Sequence, residues 1–140
     1  MDKLFAKKLN PAATLPTRVH SNDAGLDLYA LEAVNLTPNE PIRVATGIAM
    51  AVPGGHVGLI CDRSSLGARG IRTLGGVVDA GYRGEVQVIL INLTKESIFL
   101  AKGDKIAQML ILPINTCAVE ERTELDKTTR GEGGFGSSGR

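Results

Sequence analysis

Asp79 and Tyr82 lie in the stretch Gly75-Gly76-Val77-Val78-Asp79-Ala80-Gly81-Tyr82-Arg83-Gly84-Glu85. One carboxylate and one phenol therefore sit in a glycine-flanked turn fed by apolar residues, a setting suited to a catalytic side chain. The plainer alternative is an Asp that tolerates turn geometry and bonds its own backbone. Other residues able to do chemistry are scattered along the chain. Arg63-Ser64-Ser65 follow an apolar run, and a helix starting there with Ser64 or Ser65 as N-cap would offer free N–H groups to an anion. Asp27 alternates with Leu26 and Leu28, so it is either solvated or aimed into a cleft. Gln108 is the sole polar side chain in the run Ile106 to Pro113 and needs partners if buried. Arg130, Phe135, Ser137 and Ser138 lie in a Gly-rich tail. Such a tail is either a passive flexible end or an arm that puts a cation on phosphate and a ring on a base. His20 and His56 are isolated from each other, which argues against a metal site or a histidine relay.

The elements that must position these groups read as β-strands. Seventeen glycines and six prolines punctuate short apolar runs, the pattern of an all-β sandwich or barrel. Aromatic residues make up 4% and tryptophan is absent, so Val, Ile, Leu and Ala must fill the core. Leu4 to Leu9 suits an edge strand. Ile42 to Val52 alternates Ile48, Met50 and Val52 on one face with Ala49 and Ala51 on the other, and Val77-Val78 with Glu85 to Leu93 reads as a hairpin carrying Asp79 at its tip. The second half of Glu85 to Leu93 is apolar on both faces, which predicts cover on both sides and hence a subunit contact. The helix at Ser64 is held to about one turn by Gly67 and Gly70. Residues 1–124 are expected to form the packed domain and residues 125–140 a flexible arm.

Composition excludes several classes of function. With 16 basic and 15 acidic residues the net charge is +1, too little to hold a nucleic-acid polymer or an anionic membrane, although a few local donors suffice for a small anion. Cys61 and Cys117 fit neither a zinc spacing nor a disulfide framework. The residues from Met1 to Lys8 do not suit a signal peptide, and no apolar run approaches the ~20 residues of a membrane span, so a soluble cytoplasmic protein is expected.

Five segments taken together resemble a known family. Ala24-Gly25-Leu26-Asp27-Leu28-Tyr29-Ala30, Arg63-Ser64-Ser65-Leu66, Gly76 to Gly84, Gly103-Asp104-Lys105-Ile106-Ala107-Gln108, and Arg130-Gly131-Glu132-Gly133-Gly134-Phe135-Gly136-Ser137-Ser138-Gly139 are similar, in order and spacing, to the five motifs of the trimeric dUTP diphosphatases (dUTPases). The resemblance implies a distorted jelly roll of the β-clip kind, a homotrimer with shared active sites, and hydrolysis of dUTP to dUMP and pyrophosphate with Mg²⁺ on the triphosphate. Asp79 is then the residue that activates the attacking water, and Tyr82 packs on the deoxyribose. Backbone groups from Thr73 through Gly76 to Val78 read uracil. Ser64 and Gln108, supported by Arg63, serve the α- and β-phosphates, Arg130 and Ser137 serve the outer ones, Phe135 stacks on the base, and Ser65 and Gly136 also bind the substrate. Asp27 holds a water of the Mg²⁺ shell. Asp62 departs from the pattern, standing where the family often has proline, and is expected to bring an extra negative charge near the phosphates. Two rival readings are a dCTP deaminase of related fold, against which the aromatic tail argues, and a nucleotide-sensing module that uses the same pocket as a switch.

Overall fold

The computed structural model describes residues 3–137 and 139; Ser138, one of the tail hydroxyls, lies outside them. Among the described residues the chain forms ten strands and one short helix. The strands are β1 (Phe5–Lys8), β2 (Leu26–Tyr29), β3 (Val34–Leu36), β4 (Ile42–Ala51), β5 (His56–Cys61), β6 (Ile71–Leu74), β7 (Val77–Val78), β8 (Glu85–Asn92), β9 (Ile98–Leu100) and β10 (Lys105–Pro113), and the helix is α1 (Ser64–Gly67). Two four-stranded sheets, in the orders β1-β4-β8-β6 and β2-β10-β5-β7, enclose the core, and β3 and β9 make a separate pair. All the named strands pair antiparallel. This is the all-β arrangement that the short, glycine-punctuated runs predict, in the jelly-roll form that the family resemblance implies.

The core is aliphatic, as the shortage of large rings requires. Leu28, Leu36, Ile48, Met50, Ile71, Val88, Leu90, Ile106 and Met109 are almost wholly buried, whereas Phe5, Phe99 and Phe135 are all exposed. Small Val and Ala side chains let the two sheets approach closely, and the packed surface drives their association. β1 is an exposed edge strand paired with β4 from Phe5↔Ala51 to Lys8↔Ile48. Ile48 and Met50 of β4, and Val52 just after it, are more completely enclosed than Ala51, in keeping with the alternation in sequence.

Two expectations change. Val77-Val78 and Glu85–Asn92 do not pair as a hairpin: β7 pairs with β5 in one sheet, while β8 pairs with β4 and β6 in the other. The segment carrying Asp79 is therefore a crossing between sheets. Apolar composition marks both pieces as strands, but a run of two residues contains nothing that selects its partner. The helix also starts one position differently. Arg63 is the N-cap, in extended conformation, and no side chain caps the helix. The carbonyl of Arg63 accepts from the Leu66 and Gly67 amides, so Ser64 is already inside the turn.

Along β8, Val86, Val88, Leu90 and Asn92 are buried, while Ile89 and Ile91 on the other face are half-covered. Asn92 is a fully buried amide. Its Nδ2 donates to the carbonyls of Leu36 (2.9 Å) and Glu96 (2.8 Å), and its Oδ1 accepts from the amide and hydroxyl of Thr94 (2.9 and 2.8 Å). One side chain thus ties the end of β8 to β3 and to the turn before β9. Asn92→Ala leaves several buried backbone groups unpaired and is expected to cost ~2–4 kcal/mol of stability, measured by urea denaturation; a loss under ~0.5 kcal/mol would show that the amide is not a structural tie.

Candidate functional site

Most of the residues singled out from the sequence fall into two clefts and an arm. The first cleft, about 470 Å³, is lined by Gly25, Asp27, Arg63, Ser64, Ser65 and Gln108, together with Val19, Asp23 and Ala24. Strand β2 delivers Asp27, the β5–α1 junction delivers Arg63, Ser64 and Ser65, and β10 delivers Gln108. Register explains the meeting, since β10 lies between β2 and β5 and aligns Gln108 with both Asp27 and Cys61. Of the two fates open to Asp27, the cleft is the one adopted. Its carboxylate is almost buried and carries two ion pairs, Oδ1 to Arg63 Nε at 3.0 Å and Oδ2 to Lys105 Nζ at 2.7 Å. Lys105 was not singled out by sequence reasoning, although it sits inside the Gly103 to Gln108 segment and its cationic type was a usable signal.

Gln108 finds its partner in the backbone: Nε2 donates to the Asp62 carbonyl at 2.8 Å. Gly25 makes room for it, because a Cβ at that position would lie 2.1 Å from Gln108 Oε1. Ser64 and Ser65 are exposed in the first turn of α1. The wall of this cleft is thus rich in donors, with Arg63 as its cation and the charge of Asp27 already balanced by Arg63 and Lys105. That is a surface for an anion.

The second cleft, about 260 Å³, is lined by Ile60, Gly76, Val77, Val78, Asp79, Tyr82, Glu85, Val86, Gln87 and Ile89, with Arg43 reaching it from β4. Arg43 carried no signal in sequence, since a charged residue on a strand is ordinarily solvated. Gly76 is the pivot of the wall. It has φ +104°, its carbonyl accepts from the Ile60 amide at 2.8 Å, and a Cβ there would lie 2.7 Å from the Ile60 carbonyl oxygen. Only glycine allows that approach. Asp79 is exposed, and among the described residues its carboxylate has no hydrogen-bond or ion-pair partner, which leaves it free to accept a proton. The Tyr82 hydroxyl donates to the Glu85 carbonyl at 2.9 Å, so the ring, not the hydroxyl, is what Tyr82 offers.

Thr73 lines neither cleft. Its amide and hydroxyl both donate to Asp62 Oδ1, at 2.6 and 2.7 Å, while Arg72 Nε donates to Asp62 Oδ2 at 2.9 Å. The Asp62 carboxylate is thereby committed to β6 and paired with a cation, and does not add an unbalanced charge to the donor-lined cleft as its position in sequence suggests. Arg130, Phe135, Gly136 and Ser137 also line neither cleft. The last strand ends at Pro113, and Ile114 to Glu132 are exposed. The tail folds on itself through Arg130 Nε to the Gly133 carbonyl (2.8 Å) and the Ser137 amide to the Gly134 carbonyl (3.0 Å), leaving Phe135 fully exposed. Cys61 and Cys117 are free thiols.

Comparison with known proteins matches residues 12–139 to the dUTPase family model. The chain is 48% identical to the deoxyuridine 5'-triphosphate nucleotidohydrolase of Mycolicibacterium gilvum, over 97% of this chain and 94% of that one. It is 46% identical to that of Clostridium kluyveri, over 98% of each. Its fold is similar to that of a mutant dUTPase of Staphylococcus bacteriophage 80alpha bound to dUpNHpp, with TM-score 0.93, 31% identity and full coverage of both chains. It is also similar to a mutant dUTPase of the S. aureus phage phi11, whose structure reveals a coordinated structural Mg(II) ion, with TM-score 0.84, 27% identity, and 90% of this chain and 100% of that one covered.

Burial pushes the Asp62 carboxyl up, but the Thr73 donors and the Arg72 cation outweigh it and hold its pKa below the ordinary 3.8. A carboxyl lowered on folding contributes stability that is complete above its unfolded pKa and is lost as pH falls through its folded one. The stability gap between the wild-type protein and Asp62→Ala is therefore expected to be full at about pH 5–7 and to narrow below about pH 4. Urea denaturation across pH reads this directly, and a gap unchanged at about pH 2 would contradict it.

Proposed function

The chain belongs to the dUTPase family, and we propose that it hydrolyses dUTP to dUMP and pyrophosphate by in-line attack of an Asp79-activated water on the α-phosphorus. The observation that carries this reading is the chemical division of the two clefts. One is a donor-lined wall, with its buried carboxylate already neutralised, suited to phosphates, and the other is a glycine-bounded pocket whose carboxylate has no partner among the described residues. As the water oxygen bonds to the α-phosphorus, its proton passes to Asp79. The bond from that phosphorus to the oxygen bridging to the β-phosphate breaks, and pyrophosphate leaves with that oxygen. Positioning and charge neutralisation are then most of the catalysis.

Arg63, Ser64, Ser65 and Gln108 bind the inner phosphates. Tyr82 presents its ring to the deoxyribose, with its hydroxyl held by Glu85, and leaves no space for a ribose 2′-hydroxyl. Backbone groups of Thr73, Gly76 and Val78 read the uracil edge. Residues 125–140 act as an arm that closes with Phe135 on the base and with Arg130, Gly136 and Ser137 on the outer phosphates.

The residues present fit Mg²⁺ held by substrate, not a protein cage. Among the described residues no group of three or more His, Cys, Asp or Glu could hold a metal ion. Of the two carboxylates that line this cleft among the described residues, Asp23 and Asp27, Asp27 is the buried one, and each of its oxygens keeps a lone pair beyond its ion pair. It suits an outer-sphere role toward a cation that keeps its waters and takes phosphate oxygens as direct ligands. When bound, Mg²⁺ supplies charge neutralisation of the triphosphate.

Sharing of sites in a homotrimer is supported by the failure of the two clefts and the arm to converge within one chain. The half-covered Ile89 and Ile91, and the exposed Leu93 and Val119, give an assembly apolar surface to cover. The cellular role that follows is to keep dUTP from DNA polymerases and to supply dUMP for dTTP synthesis, in the cytoplasm. The assay is pyrophosphate release with Mg²⁺ across dUTP, dTTP, dCTP and UTP, with dUTP expected to turn over fastest by far. Tight dUTP binding without hydrolysis would favour the sensing module instead.

Asp79→Asn is expected to lower kcat by ~10²–10⁴-fold while nucleotide binding persists; turnover at the wild-type rate would sink the mechanism. Mixing Asp79→Asn chains with chains truncated after Arg130 tests the shared site. Recovery of activity on mixing is expected, and its complete absence would mean that each site is built within one chain.

A further inference from the structure

Asp62 joins parts of the molecule that lie on different sheets. It follows the last residue of β5, on one sheet, and its carboxylate holds Thr73 of β6, on the other. Its backbone carbonyl accepts from Gln108 Nε2 on β10. Two residues earlier, the Ile60 amide donates to the Gly76 carbonyl at 2.8 Å. The segment from Thr73 to Gly76 is thus stapled at both ends to the same short piece of chain, Ile60 to Asp62, which runs directly into Arg63 and Ser64.

β6 is the outermost strand of its sheet, next to β8. An edge strand presents a row of unpaired backbone groups on its outer side, and the Asp62 carboxylate takes up the Thr73 amide as a neighbouring strand would. The amide and carbonyl of one residue in an antiparallel strand point the same way. Fixing the Thr73 amide outward therefore fixes its carbonyl outward too, as an acceptor. An acceptor held rigidly favours a base edge that offers an N–H, as uracil N3 does, over cytosine, whose N3 carries no proton. The Arg72 bridge contributes less to the hold, because the Arg72 side chain is 62% exposed and pairs of that kind are worth little.

We propose that Asp62 is a positioning residue for base selection: its carboxylate staples Thr73 to the phosphate-binding loop and so holds the segment from Thr73 to Gly76 in the geometry that prefers uracil to cytosine. This rests on the reading of the two clefts as halves of a dUTP site.

The test uses the full chain with Mg²⁺ and measures kcat, KM and Tm for dUTP and dCTP in the wild-type protein and in Asp62→Ala, Asp62→Asn, Thr73→Val and Arg72→Ala. Asp62→Ala is expected to lower the ratio of kcat/KM for dUTP over dCTP by about tenfold. Asp62→Asn, which keeps an acceptor for both Thr73 donors, stays within about threefold of wild type, and Arg72→Ala within about twofold. Thr73→Val, which removes one of the two Thr73 bonds without touching Asp62, is expected to lose about threefold and carries the test if Asp62→Ala does not fold. The proposal is overturned by an unchanged ratio in Asp62→Ala or, failing that variant, in Thr73→Val. It is equally overturned if Asp62→Asn is as impaired as Asp62→Ala, or if Arg72→Ala reproduces the loss. A wild-type protein that releases no pyrophosphate from dUTP refutes the functional reading itself, whereas an active wild type with an unchanged ratio in the variants refutes the staple alone.

Discussion

The ion pairs of Asp27 with Arg63 and Lys105 are the constraint on which the arrangement of the site depends. A carboxylate this well buried is costly without compensation, and two cations at 3.0 and 2.7 Å supply it. The partners come from three places: β2, the junction after β5, and the first residue of β10. Satisfying one buried charge therefore fixes how three strand ends meet, and leaves a donor-rich wall whose own negative charge is balanced. The cleft lined by Gly25, Asp27, Arg63, Ser64, Ser65 and Gln108 is in this sense a by-product of burying Asp27 properly.

The second constraint is steric. The chain must pass from the edge of one sheet, β6, to the edge of the other, β7, within a few residues, and Gly76 makes that possible by lying against the Ile60 carbonyl. Backbone brought that close to backbone is rigid without side-chain packing. Of the residues that follow it, Val78 is buried against β5, and Asp79 beside it has no side-chain partner among the described residues. A carboxylate on such a backbone, without a competing partner among the described residues, is well placed to receive a proton.

Much of this was legible beforehand, for physical reasons particular to each element. The alternation in Ile42 to Val52 and the long apolar run of β10 announced strands, because side chains on a strand face opposite sides in turn. The lack of large rings announced an aliphatic core. Glycines at 67 and 70 limited the helix to a turn. The supposed hairpin failed because Val77-Val78 is too short to specify a partner, and pairing was decided by which sheet edge lay within reach after the Gly76 crossing. The charge of Asp62 was misread for a similar cause: its balance depends on Arg72 and Thr73, which are distant in sequence and adjacent only once β5 and β6 are placed.

What the sequence by itself determined is the inventory and its order: the five motif segments, the strand periodicity, the near-neutral charge and the residue types able to bind phosphate, accept a proton or stack on a base. Those are local properties, set by side-chain chemistry and by what each short stretch of backbone permits. The tertiary structure alone decided which groups are already committed and which are free. Asp27 is held by two cations, the Tyr82 hydroxyl by Glu85, Thr73 by Asp62 and Gln108 by the Asp62 carbonyl, while Asp79 keeps no partner among the described residues. Apart from the local Tyr82–Glu85 bond, these commitments join residues from different parts of the chain that only the fold brings together, and no spacing rule along the chain encodes them.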